Sequence, residues 1–253
     1  MISSLRRFLL LMGAVLAAPL FAAAAEPAIL AKARARLGSE TALDGIKTLR
    51  YEGTLTTTDP KDPTKTIVAK VEMTFLKPDR QRIVANYEKF TETTALDSYE
   101  GWTRVQDSTD PTKWRLTLLD GNQIKRLRAN TWQSLAYYRG IDRVGGTIED
   151  QGTALKEGVN CQKIAFIHGP NIVFYRFFEV GTGRLVITET ESGATLREEG
   201  DIMASGIRFP KTLVTVTKAN DKVPSQTITL TYDKITVNEP VDASAFAMPS
   251  LGR

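Results

Sequence analysis

Apolar and polar residues alternate with a period of two along most of this chain, and that period specifies β-structure. Leu49, Tyr51, Gly53 and Leu55 alternate with polar positions, and Ala69, Val71, Met73 and Phe75 are separated by Lys70, Glu72 and Thr74. Ile228, Leu230 and Tyr232 interleave with Thr227, Thr229 and Thr231. Successive side chains of a strand point to opposite faces, so each run reads as a strand with one face buried and one wet. After Tyr232 the apolar phase slips to Ile235 and Val237. One extra residue in a strand, a β-bulge, produces that slip. Turn chemistry separates the runs. Asp59-Pro60-Lys61-Asp62-Pro63 reads as a long loop, Asp107 to Lys113 as a polar loop, and Gly181-Thr182-Gly183 as a short hairpin connection. About twelve strand-like runs at this spacing predict a mainly β fold of the sandwich or barrel kind.

Two segments break the period. Ala28 to Leu37 reads as a helix ending at Gly38, restarting with Ser39 as N-cap and Ala42 and Leu43 inside. A second helix begins near Asn122. Its apolar residues Ile124, Leu127, Leu135 and Tyr138 recur at helical spacing, Trp132 flanks them, and Lys125, Arg126, Arg128 and Arg139 lie mostly off the stripe. A membrane surface would accept such a helix. Packing on the sheet suits it better, because a β domain needs cover for its open face.

The first 25 residues read as a secretory signal peptide rather than as fold. Arg6 and Arg7 form a charged start, Phe8 to Phe21 is an apolar run short for a bilayer, and Ala23-Ala24-Ala25 precedes Glu26. Cleavage after Ala25 is expected to release residues 26–253 into the periplasm as one domain, not an integral membrane protein. A chain of this size buries roughly 70% of its unfolded surface and needs no staples. Its one cysteine, Cys161, sits in an alternating run as a small buried hydrophobe. The formal net charge of +4 counts Arg6 and Arg7. No block of like charge suggests nucleic acid binding.

Catalytic signals are sparse. The chain has 1 His, His168, beside Gly169-Pro170, and 1 Cys, too few for a closed zinc site. No Gly-x-Ser-x-Gly elbow, Walker A loop or dinucleotide glycine pattern occurs. No catalytic residue, metal or cofactor is expected, and a non-enzyme is the better reading, with a hydrolase using His168 as the weakest alternative. Trp102, Trp114 and Trp132 join 10 Phe and 7 Tyr. Such side chains either fill the concave side of a bent sheet as core or line a cavity for an apolar ligand.

Several stretches, in order, resemble the LolA/LolB-like superfamily of outer-membrane lipoprotein-sorting proteins. Phe75-Leu76-Lys77-Pro78-Asp79 looks like that family's strand end with a basic residue before Pro. Ser98-Tyr99-Glu100-Gly101-Trp102 is similar to its turn into an aromatic strand, and Phe178 to Leu185 to its hairpin. Asn122 to Tyr138 falls where lid helices occur, and Val237 to Pro249 resembles the family's ending. The likeness covers most of residues 28–249. It implies an incomplete antiparallel β-barrel whose concave apolar face is capped by helices and takes up acyl chains. In that setting Gly206 permits a sharp entry or positive φ, and Pro210 sits where no ladder N–H is needed. Val71, Met73, Phe75, Trp102, Trp114, Leu116 and Trp132 are the expected ligand-binding residues. Lys77 is the expected gate, a point charge where the carriers have an Arg fork. The expected partners are a lipid or the acyl chains of a lipoprotein, and another cell-envelope protein. The rival reading is a periplasmic envelope-stress sensor, its barrel packed and its partner another protein.

Overall fold

The computed structural model describes residues 26–59, 62–219 and 225–250; the expected signal peptide lies outside them. Two short helices come first, α1 (Ala28–Leu37) and α2 (Glu40–Asp44), with the Ser39 hydroxyl accepting from the Ala42 N–H at 3.2 Å. Six strands follow: β1 (Thr48–Asp59), β2 (Asp62–Leu76), β3 (Arg80–Asn86), β4 (Phe90–Asp97), β5 (Glu100–Asp107) and β6 (Trp114–Leu118). Helix α3 spans Gly121–Leu135. Seven more strands complete the chain: β7 (Thr147–Lys156), β8 (Val159–Gly169), β9 (Ile172–Glu179), β10 (Leu185–Thr190), β11 (Thr195–Ala204), β12 (Ile207–Thr217) and β13 (Gln226–Val237).

All of them join one 13-stranded antiparallel sheet in the order β6-β5-β4-β3-β2-β1-β13-β12-β11-β10-β9-β8-β7. Two meanders run outward from the central β1–β13 pair, and the sheet is an open, incomplete barrel. Strands β6 and β7 are consecutive in sequence yet stand at opposite edges. The chain between them must therefore return across a face of the sheet, and α3 is the element that makes the crossing.

The bulge and the β11–β12 turn follow the sequence reading, and the cap of α3 is added by the structure. Asp120 caps α3, accepting from the N–H groups of Asn122 at 2.8 Å and Gln123 at 2.9 Å, while Gln123 reaches back to the Asp120 N–H. The phase slip after Tyr232 is a bulge: Glu52 pairs with Lys234, Gly53 with Tyr232, and Asp233 is the extra residue. Ser205 and Gly206 both take positive φ, at 50° and 75°, which closes the β11–β12 turn tightly. Pro210 pairs with Asp201 of β11, and the β12–β13 ladder begins only at Thr212, so the missing N–H costs no bond. The expected long loop after Asp59 is shorter than its two prolines suggested. Strand β2 already begins at Asp62, and Asp59 pairs with Asp62.

Three clusters form the core. One gathers Leu43, Ile46, Leu49, Tyr51 and Phe75 with Phe209 and Tyr232. Another packs Leu30 and Ala33 of α1 and Trp132 of α3 on Ile164, Phe166 and Phe178 of β8 and β9. The third, around Cys161 and Phe177, is small. No helix among the described residues is long and apolar enough to cross a membrane.

Gly53 carries the bulge because a Cβ there would meet the Thr231 carbonyl oxygen at 2.3 Å. Gly53→Ala is expected to destabilise the fold by about 2–3 kcal/mol. Asp120→Ala, which removes a cap, should cost only about 1 kcal/mol. Urea unfolding midpoints at a shared slope check both; equal midpoints for the two variants would contradict the close approach at Gly53.

Candidate functional site

Between α3 and the concave face lies a cavity of about 350 Å³. Alternation decides which residues reach it. Along β3, Gln81 and Ile83 line the cavity, whereas Arg82 and Val84 line a groove of about 620 Å³ on the outer face. In register with β3, Phe75 pairs with Gln81 and Met73 with Ile83, so both β2 residues point inward. Leu213 and Leu230 of β12 and β13 continue the same apolar wall.

The floor is aromatic. Tyr51 stands edge-on to Phe75 and to Phe209, each at 5.9 Å between ring centroids, and tilts against Tyr232 at 5.0 Å. Such pairs each contribute about 0.5–1.5 kcal/mol beyond the area they bury. Burial raises the hydroxyls of Tyr51, Tyr137 and Tyr232 well above the ordinary phenol range, and that of Tyr138 to about 12. All four stay neutral at any physiological pH.

A few polar groups interrupt this lining. Arg176 occupies an inward position of β9 between Phe174 and Phe178 and is 8% exposed. Its guanidinium lies over the rings of Tyr138 at 4.8 Å and Phe166 at 5.4 Å. Glu198 of β11 keeps open surface inside the cavity, yet protein surrounds it, and that burial raises its carboxyl above the usual range against the pull of Arg176. The Tyr137 hydroxyl and Gln133 Oε1 are buried without a hydrogen-bond partner among the described residues.

His168, at the end of β8, lies 2.9 Å through Nε2 from Gln133 Nε2, with Trp132 at 5.1 Å and Phe174 at 5.8 Å between ring centroids. Burial and the charges of Arg176 and Arg126 lower its pKa to about 4. The ring is neutral at pH 7, and no carboxylate hydrogen-bonds it among the described residues. No cluster of three or more metal-ligating side chains occurs among those residues.

The sequence-predicted residues divide between the two faces. Met73 and Phe75 line the cavity, and Val71 shares their face but packs in the core behind it. Trp132 is buried against Phe166 and His168 and borders a second recess, not the cavity lined by Met73 and Phe75. Trp102, Trp114 and Leu116 are instead on the outer face. Trp102 aligns with Ala95 and, through it, Arg82; Leu116 pairs with Arg104 and Trp114 with Gln106. Trp102 is buried there by the closing segment, its indole N–H donating to the Phe246 carbonyl at 3.1 Å. Trp114 is 41% exposed under the Arg104 guanidinium. Lys77 borders the second recess near Asp44 and Arg139, with burial lowering its pKa. Helix α3 is fastened instead by neighbouring Asp79, whose carboxylate lies 3.5 Å from Arg128. Arg176 escaped the sequence reading. Its signal was an Arg at an inward step of the Ile172-Phe174-Arg176-Phe178 row.

No family model matches the chain, and no curated protein does. Solved structures do. A LolA superfamily protein from Nitrosomonas europaea aligns at a TM-score of 0.55 and 9% identity, covering 87% of this chain and 96% of the other. A DUF1329 family protein from Desulfovibrio piger gives 0.54 and 9% identity over 87% and 96%. A putative outer membrane lipoprotein-sorting protein domain from Vibrio parahaemolyticus gives 0.54 and 7% over 86% and 95%. The chain has a LolA-like fold.

The depressed His168 pKa makes stability depend on pH. The unfolded chain binds the proton near 6.5 and the folded one only near 4, so protonation favours unfolding. Stability should fall as pH drops from about 6.5 to 4, and His168→Gln should flatten that slope in thermal melts. An unchanged slope in the variant would place the titration elsewhere.

Proposed function

We propose that this LolA-like protein is a periplasmic carrier or receptor for an apolar chain, a lipid or the acyl group of a lipoprotein, and that it performs no catalysis. The observation that carries this reading is the unfilled cavity under α3, about 350 Å³ and lined by Met73, Phe75, Ile83, Leu213 and Leu230. That volume falls at the lower end of the roughly 300–1,000 Å³ range of small-molecule sites. The fold shared with a lipoprotein-sorting domain agrees with the same assignment.

The mechanism is burial. Each methylene moved from water into the cavity contributes about 0.8 kcal/mol, roughly a fourfold gain in affinity. No proton transfer or covalent step is involved. The inner ends of the aromatic floor are neutral, so the chain meets no charge along Tyr51, Phe75 and Phe209. Release requires either movement of α3 or entry of a competing apolar surface. The second recess beside Lys77, Leu43 and Val144 lies along the same helix.

A chain-length series of alkyl ligands tests the reading. Displacement of Nile red, a neutral dye, should tighten by about fourfold per added methylene until the cavity is full, then level off. Leu213→Trp, at a half-buried lining position, should weaken binding at least tenfold with stability changed by no more than about 1–3 kcal/mol. Trp114→Asp, on the outer face, should leave binding unchanged. A flat series, or loss of binding on Trp114→Asp alone, would remove the cavity as the site.

A further inference from the structure

Among the described residues two arginines are buried to nine-tenths or more, Arg34 at 6% and Arg176 at 8% exposure. They are treated differently by the fold. Arg34 of α1 meets two carboxylates, paired through both terminal nitrogens with Glu26 and through Nε with Glu40 at 2.9 Å. A buried cation needs such partners, because losing water costs several kcal/mol per ion. Arg176 has none. It forms no ion pair and no hydrogen bond among the described residues, and its Nε is buried without an acceptor. The ring faces of Tyr138 and Phe166 offset only part of that cost.

Its neighbours do not supply an acceptor either. Across the sheet Arg176 sits between Ile164 of β8 and Thr188 of β10, and along its strand between Phe174 and Phe178. Glu198 faces the same cavity without forming an ion pair with it. Its surroundings raise the Glu198 carboxyl above the usual range against the pull of Arg176, whereas an arginine in a protein keeps its charge. The unpartnered Tyr137 hydroxyl faces the same cavity. Arg208 adds further positive charge at the cavity wall, part of it matched by Asp201.

We infer that the cavity takes an amphiphile with an acidic head, a carboxylate or a phosphate ester, and that Arg176 binds the head's oxygens inside the cavity while the apolar wall holds the chain. This rests on the reading of the cavity as an acyl-chain site and specifies the ligand class. Arg176 is then a specificity-determining residue: its guanidinium offers up to five donors to an oxyanion, and a charge-assisted bond in this low-dielectric setting outweighs one to a neutral hydroxyl. An alcohol or ester of the same length could accept a hydrogen bond but would leave the cation without a counter-charge.

Four ligands sharing one twelve-carbon chain separate the possibilities: dodecanoate, dodecyl phosphate, dodecanol and dodecylammonium, each titrated at neutral pH against Nile red bound to residues 26–253. The expected result is tighter binding of either anion than of dodecanol by about tenfold or more. Whichever anion is tighter identifies the source of the acidic head. Arg176→Met should abolish the preference while dodecanol still binds. Arg176→Lys should retain part of it, and Arg176→Gln serves if the Met variant does not fold. Equal binding of all four ligands would overturn the acidic head and leave the apolar-chain reading standing. Preference for dodecylammonium would assign the head site to Glu198 and overturn it too. A preference for anions that persists in Arg176→Met would also overturn it. Failure of every ligand to displace the dye would remove both readings.

Discussion

The structure depends on a constraint of connection: strands β6 and β7 follow one another in the chain but occupy opposite edges of a 13-stranded sheet. The link between them must cross a face, and a helix satisfies its own backbone hydrogen bonds while doing so. Helix α3 therefore lies where the sheet needs cover. Its buried residues, Ala129, Thr131, Trp132 and Leu135, face inward, and its cationic residues reach outward to the rims. Arg126 pairs with Glu191 at one rim, and Arg128 pairs with Asp79 and stacks over Tyr99 at 4.0 Å at the other. Exposed ion pairs are each worth about 0–1 kcal/mol, so the apolar contacts hold the helix and the pairs set its position.

The cavity follows from the same geometry. An antiparallel sheet this wide, twisted and bent but never closed, cannot bring its far strands into contact across the concave side. One helix fills part of the gap. Tyr51, Phe75, Phe209 and Tyr232 fill the floor by edge-to-face packing. What remains is lined by apolar side chains with Arg176 and Glu198 set among them. Arg34 is satisfied by Glu26 and Glu40, whereas Arg176, inside this space, meets aromatic faces and no carboxylate among the described residues.

Much of the fold was legible because it is local. Alternation marked the strands, Gly38 and Ser39 marked the break between α1 and α2, and the phase slip after Tyr232 marked the bulge at Asp233. Each of these signals acts within a few residues. The segment Asp59 to Pro63 was read from its turn residues as a long loop, whereas Asp59 and Asp62 already oppose one another in the ladder. The site was less legible. Met73 and Phe75 were taken from an alternating run and do reach the cavity, but Trp102, Trp114 and Leu116 were placed with them on aromatic or apolar character alone.

Alternation determines that neighbouring residues face opposite ways; it carries no label for which way is inward. That label comes from register. Pairing of Gln81 with Phe75 puts one set of β2 and β3 residues under α3, and pairing of Ala95 with Trp102 puts the tryptophan on the other side. The outer face is itself partly covered, by the segment that buries Phe246, so Trp102 there is as dry as an aromatic inside. The sequence by itself thus determined a β-rich chain, its helices, its turns and its alternating faces, all of which are set by forces between near neighbours. Only the tertiary structure decided which face encloses the cavity and that Arg176 lies within it unpaired, because both depend on contacts between strands and helices far apart in the chain.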